Sequence, residues 1–127
     1  MKKIIQTSAA PAPIGPYNQA ILVNNTLYTS GQIAMKASDG TLVLDTIESE
    51  TTLVMENLNA ILKAANMSLK DVVKASIFLS DMNNFSKVNE VYGSYFDSEI
   101  APARETVQVA ELPKKVNVEI SVVAIKG

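Results

Sequence analysis

Val116-Asn117-Val118-Glu119-Ile120-Ser121-Val122-Val123-Ala124-Ile125 is the stretch whose reading decides the architecture. Side chains alternate across a strand, so Val116, Val118, Ile120, Val122 and Ala124 share one face while Val123 and Ile125 fall on the other. A strand apolar on both sides belongs in a sheet that is covered on both sides. Glu119 interrupts this run between Val118 and Ile120, an expensive place for a charge.

Outward from this strand, two periods divide the chain. Thr106 to Ala110 reads as a further strand, joined to the last one by Glu111-Leu112-Pro113-Lys114-Lys115. Val72 to Ser80 is rich in β-branched and aromatic residues; Val73, Ala75, Ile77 and Leu79 take one face and Val72, Lys74, Ser76 and Phe78 the other. A helical period begins after Asp45 or Thr46 as N-cap, with Ile47, Thr51, Val54, Leu58, Ile61, Leu62 and Ala65 in one stripe. Glu48 and Glu50 suit the positive end of its dipole, and Asn66 suits a left-handed exit. Asp81-Met82-Asn83-Asn84 offers several caps for a second helix of about three turns marked by Phe85, Val88, Tyr92, Tyr95 and Phe96. Pro102 ends any continuation. Towards the N-terminus, Val23 to Ser30 reads as a hairpin, with Ala20-Ile21-Leu22-Val23 leading into Asn24-Asn25 and Leu27-Tyr28-Thr29 leading out. Ala9 to Pro16, with prolines at 11, 13 and 16, is an extended loop, and Lys36 to Asp45 is a second loop with Ser38-Asp39-Gly40 as its turn.

The order is a short N-terminal strand, a hairpin, a helix, a strand, a helix and two strands, an α+β arrangement in a single domain over residues 1–127. Two helices cover one face only of a mixed sheet of five to six strands. The other face is too apolar for water, and self-association is the simplest remedy.

Composition narrows the chemistry. Apolar residues form 47% of the 127 and charged residues 19%, which permits a core and argues against disorder. Cysteine is absent, which excludes disulfides, thiolate catalysis and zinc-thiolate sites; histidine is absent too, so a Ser-His-Asp triad and a paired-histidine nuclease site both lack their parts. The net charge of −2 argues against nucleic acid as a partner. Met1-Lys2-Lys3 is followed by only two isoleucines, short of a signal-peptide core, and no apolar run reaches the roughly 18 residues of a membrane span. The expected location is the cytoplasm. No internal repeat, phosphate-binding glycine pattern or metal-ligand spacing is visible, so no metal is expected.

Two charged residues invite a chemical reading. In Ala101-Pro102-Ala103-Arg104-Glu105-Thr106-Val107-Gln108-Val109, alternation puts Arg104, Thr106 and Gln108 on one face. The planar donor fork of Arg104 suits a bound carboxylate; the alternative is a surface arginine or an ion pair with a nearby glutamate. Glu119 is either a carboxyl group with a raised pKa, suited to relaying a proton from water to a leaving amine, or a solvent-facing edge residue or structural partner of Arg104. Asn89 departs from the apolar stripe of the second helix, as a solvent-facing residue also would. The glycine of Thr29-Ser30-Gly31-Gln32 lets a backbone N–H approach a ligand closely, or is simply required by geometry.

Ile14-Gly15-Pro16-Tyr17-Asn18-Gln19-Ala20, Thr29-Ser30-Gly31-Gln32-Ile33, Pro102-Ala103-Arg104-Glu105-Thr106-Val107-Gln108-Val109 and Val118-Glu119-Ile120 together resemble the RidA family, also called YjgF or L-PSP. The resemblance runs in order over nearly the whole chain. It implies a chorismate-mutase-like (ferredoxin-like) fold, a homotrimer, and three ligand clefts each built from two neighbouring subunits. It further implies hydrolysis of 2-iminopropanoate and 2-iminobutanoate to 2-keto acids and ammonia, with no cofactor or metal. Arg104 matches the arginine that holds the substrate carboxylate, Glu119 the carboxylate that orients or activates water, and Tyr17, Ser30, Gly31 and Asn89 match positions lining the cleft. Thr106 stands where some relatives carry cysteine. Glu105 stands where small or hydroxyl residues are common; alternation points it away from Arg104, but an extra negative charge so near bears on anion binding.

On this reading Arg104 pairs with the carboxylate, a backbone N–H near Gly31 helps to fix it, and a water held by Glu119 attacks the imine carbon. Positioning and one proton relay then suffice without histidine. Two rivals stay open at this point: a ligand-binding or regulatory trimer without turnover, and an endoribonuclease or translation inhibitor.

Overall fold

A computed structural model describes residues 1–127. Six strands and two α-helices follow one another as β1 (Lys2–Ile5), β2 (Ala20–Val23), β3 (Thr26–Thr29), α1 (Ile47–Ala64), β4 (Val72–Leu79), α2 (Phe85–Gly93), β5 (Ala103–Gln108) and β6 (Val118–Ile125). They form one mixed sheet in the order β1-β2-β3-β6-β4-β5. Only β4 and β5 run parallel, and α2 supplies the crossover that a parallel pair requires. The last strand of the sequence is thereby inserted between β3 and β4.

Both helices lie on one face. From α1, Val54, Met55, Leu58, Ile61 and Leu62 are fully buried against Leu27, Ala75, Ile77, Leu79, Val118, Ile120, Val122 and Ala124 of the sheet. Each large aliphatic side chain so buried contributes about 1.5–3 kcal/mol. Thr46 caps α1, its hydroxyl accepting from the Ser49 N–H at 3.0 Å while Ser49 Oγ accepts from the Thr46 N–H at 3.3 Å. Asn66 takes the left-handed exit at φ 58°.

Several expectations are corrected in detail. A β-bulge at Val72–Lys74 turns Val72 into the core and leaves Val73 outside, so the pair is the reverse of simple alternation. Helix α2 stops at Gly93, a poor helix former, and the chain tightens into turns through Tyr95 and Phe96, which still pack on the core. Strand β5 starts at Ala103, directly after Pro102. Strand β6 starts two residues later than its apolar pattern because the Asn117 and Val118 N–H groups are taken by Glu50. Glu50 is more than a dipole partner: it is fully buried, and its carboxylate accepts from Asn117 N and Asn117 Nδ2 at 2.8 Å each and from Val118 N at 2.9 Å.

The opposite sheet face has no cover. Registers place Ile4, Ile21, Val23, Tyr28, Phe78, Val107, Val123 and Ile125 on it. Ile4, Tyr28, Val107 and Ile125 are 42–51% exposed, so this surface is an apolar patch of the kind that marks an interface.

Glu50→Ala should lower stability by about 3 kcal/mol in urea denaturation, because two backbone donors lose their acceptor inside the protein. A loss under about 1 kcal/mol would mean that these donors find other partners.

Candidate active site

Alternation in β6 sends Val118 and Ile120 into the core and Glu119 to the uncovered face, opposite Phe78 of β4. There it opens on a cleft of about 70 Å³ lined by Tyr17, Gly31, Gln32, Ile33 and Pro113 among others. Gln32 bridges to Ile120 through both of its backbone groups, at 2.8 and 3.1 Å, which seats Gly31 against the Glu119 side chain. A Cβ at position 31 would lie 2.8 Å from Glu119 Cδ and 2.9 Å from Cγ, so any larger residue would displace the Glu119 side chain from this position.

The cleft walls are fixed from behind. Buried Gln19 holds the proline loop: its Nε2 donates to Thr7 O, Ala10 O and Pro11 O at 3.0, 3.2 and 2.8 Å, and its Oε1 accepts from Thr7 N at 2.7 Å. Asn57 of α1 donates to Ile33 O at 3.2 Å and Met35 O at 3.0 Å, fixing the segment after Gly31. The hydroxyl of half-exposed Tyr17 accepts from Ile14 N at 3.4 Å. Glu119 itself has no hydrogen-bond or ion-pair partner within the chain, and burial raises its pKa above the ordinary value.

Arg104 lies elsewhere. It sits on the edge strand β5, in register with the core residue Ala75, and so points to the helix face. Its guanidinium carbon is 5.6 Å from the Phe85 ring centroid and 5.3 Å from that of Tyr92, and Nη1 donates to Asn89 Oδ1 at 2.6 Å. Phe85, Asn89 and Tyr92 recur at helical spacing on α2, which explains why an amide interrupts the apolar stripe. Two π faces and an amide oxygen hold the cation without neutralising it, and its remaining donors are free for an anion. The Tyr92 hydroxyl and Thr106 Oγ1 are both buried without a hydrogen-bond partner, and burial raises the Tyr92 pKa against an opposing effect of the Arg104 charge.

The candidates thus fall into two groups. Tyr17, Gly31 and Glu119 share one cleft, while Asn89, Arg104 and Thr106 cluster beside α2 on the other side of the sheet. The single chain does not bring Arg104 and Glu119 together. Ser30 commits its hydroxyl to Asn18 O at 2.5 Å and its N–H to Gln19 O at 2.9 Å. Glu105 faces away from Arg104, as alternation expects, and is bound by Lys74 Nζ and Ser76 Oγ, each at 3.0 Å; the Lys74 hydrogen bond leads in lowering its pKa. No three or more Asp or Glu side chains gather in a set able to hold a metal ion. Sequence reasoning missed Gln19, Asn57, Phe85 and Tyr92 as supports. Only the aromatic pair left a signal, by sharing a helix face with Asn89.

A family model described as endoribonuclease L-PSP matches residues 7–126. The chain belongs to this family. A bovine member (Bos taurus), named 2-iminobutanoate/2-iminopropanoate deaminase, is 48% identical over 127 residues, covering 100% of this chain and 92% of its own. Among solved structures, a putative endoribonuclease of Thermotoga maritima superposes with a TM-score of 0.96 at 49% identity, covering 100% of this chain and 99% of that one. E. coli TdcF with bound serine follows at 0.92 and 40%, with 98% and 99% covered. The RidA resemblance drawn from the four motifs and the α+β fold it implied both hold for this L-PSP chain.

Glu119→Gln removes a carboxyl group that folding makes harder to ionise. Because the folded pKa is the higher one, the variant's stability advantage should vanish well below pH 4.5, grow as pH rises past it, and level off near neutrality. Urea titrations at about pH 4 and about pH 7 measure this, and an advantage that shrinks with rising pH would show that the ion is stabilised instead.

Proposed function

We propose that this protein is a cytoplasmic imine deaminase that hydrolyses 2-iminopropanoate and 2-iminobutanoate to 2-keto acids and ammonia, in clefts each formed by two protomers of a homotrimer. The activity is that for which the bovine relative is named. The observation that carries the reading is the division of the site: an uncompensated guanidinium on one sheet face and a desolvated, unpartnered carboxyl group on the other, with an apolar surface awaiting a second copy. A reducing compartment suits a chain without cysteine.

In the assembled cleft, Arg104 takes the substrate carboxylate on its free donors, aided by a backbone N–H near Gly31, with Thr106 and Asn89 beside it and Tyr17 closing the rim. Ser30 supports the Gly31 backbone through its bond to Asn18 O. Glu119, as carboxylate, accepts a proton from a water as the water oxygen bonds to the imine carbon and the C=N pair moves to nitrogen. The resulting carbinolamine receives that proton on nitrogen. Glu119 then takes the hydroxyl proton and passes it to the amine nitrogen, so that the C–N bond breaks with its electron pair leaving on ammonia and the oxygen becomes the keto oxygen. A raised pKa fits a group that must both take and return a proton near neutrality.

The family's description also names an endoribonuclease. Histidine is absent and the net charge is −2, so the chain offers neither the usual proton-transfer group nor a positive field for RNA.

Added to a dehydratase reaction, the wild-type protein should accelerate ammonia release, and Arg104→Ala and Glu119→Gln should each reduce that acceleration by at least about 100-fold. Undiminished rates in both variants would refute the assignment, as would 2-ketobutyrate binding without any turnover by the wild type. Tyr28→Asp on the uncovered face should convert the trimer to smaller species in light scattering; a monomeric wild type would remove the shared cleft.

A further inference from the structure

We propose that Phe85 is a positioning residue for the substrate carboxylate: with Tyr92 it flanks the Arg104 guanidinium on two opposite sides, so that an anion meets one fixed edge of the donor fork. The inference rests on the imine-hydrolase reading and adds to it what aims the arginine.

Phe85 and Tyr92 are seven residues apart on α2, which sets their side chains on one helix face with an axial separation of about 10.5 Å. The guanidinium carbon is 5.6 Å from one ring centroid and 5.3 Å from the other. Two nearly equal distances that together match the spacing place the cation between the rings rather than beyond either. Asn89, one turn on from Phe85, stands between them and accepts from Nη1 on the helix side at 2.6 Å. Three sides are thus occupied by α2. Arg104 is nonetheless exposed, so its open edge faces away from that helix.

Flanks of this kind suit a cation that has to receive an anion. A carboxylate beside Arg104 would hold it as firmly but would compete with the substrate for the same donors, whereas a ring attracts the charge through its π cloud and leaves the donors free. The chain's one ion pair joins Lys74 to Glu105, so no acidic group holds Arg104. Tyr92 contributes as a ring, because its hydroxyl is buried without any hydrogen-bond partner. With either flank missing, the long arginine side chain regains rotamers that turn the fork aside, and the carboxylate meets it less often in the aligned pose.

Phe85→Leu keeps an apolar side chain able to pack against the core and removes the ring. It should keep the wild-type assembly in light scattering, bind 2-ketobutyrate about 10-fold more weakly in calorimetry, and lose a similar factor in kcat/KM. Phe85→Tyr, which returns a ring, should recover most of both. Tyr92→Leu and Tyr92→Phe should behave as the same contrasting pair. Wild-type affinity in Phe85→Leu, equal losses in Phe85→Leu and Phe85→Tyr, or a loss that tracks loss of the assembly would each overturn the inference. A wild type that binds 2-ketobutyrate without turnover fails the parent reading alone, and the variant affinities still decide the role of Phe85; a wild type that binds no 2-ketobutyrate overturns both.

Discussion

Two helices can bury one side of a six-stranded sheet and no more. The central strand β6 feels this constraint most, because its period of two gives Val118, Ile120, Val122 and Ala124 to the core and leaves Glu119, Val123 and Ile125 outside. Helix α1 binds the start of that strand twice over: its apolar stripe packs on the core face, and the buried Glu50 carboxylate takes the first two N–H groups. The position of Glu119 is therefore set by the core, one residue beyond a clamp that does not touch the cleft.

The same alternation separates the two charged groups. Arg104 belongs to the helix face and Glu119 to the uncovered face, so neither can neutralise the other within the chain. Both remain chemically available for that reason. Arg104 is oriented by Phe85, Asn89 and Tyr92, which steady a cation without a compensating carboxylate. Glu105, its neighbour in sequence, is turned to the other face and engaged by Lys74 and Ser76. In the assembly proposed above, a second copy covers the apolar face and its edge-strand arginine meets this chain's central-strand carboxyl group.

The sheet, its helices and its bare face were legible because hydrophobic period survives in a single sequence. The β6 and α1 stripes each name their buried side, and Asn24-Asn25 names its turn. The bulge at Val72–Lys74 was not legible, since a one-residue slip leaves composition unchanged and inverts only the pairing of Val72 and Val73. Glu50 was misread for a related reason: an acidic residue in a first helical turn has an ordinary explanation, and the backbone donors it satisfies are 67 and 68 residues away. Motif resemblance marked Arg104, Glu119, Gly31 and Tyr17. It did not mark Gln19 or Asn57, whose work is to hold backbone carbonyls in place and which carry no charge to draw notice. Nor does one sequence reveal that its two charged candidates face opposite ways until the strand register is known.

Sharing of the cleft between copies is tested most directly by mixing two crippled proteins. Arg104→Ala and Glu119→Gln chains, unfolded together and refolded at equal amounts, should regain about one quarter of wild-type deaminase activity, since random closed assembly gives that share of interfaces an intact arginine facing an intact carboxyl group. Each variant refolded alone should stay inactive. A mixture no more active than the separate variants, although hybrid assemblies form, would contradict a site built across the interface.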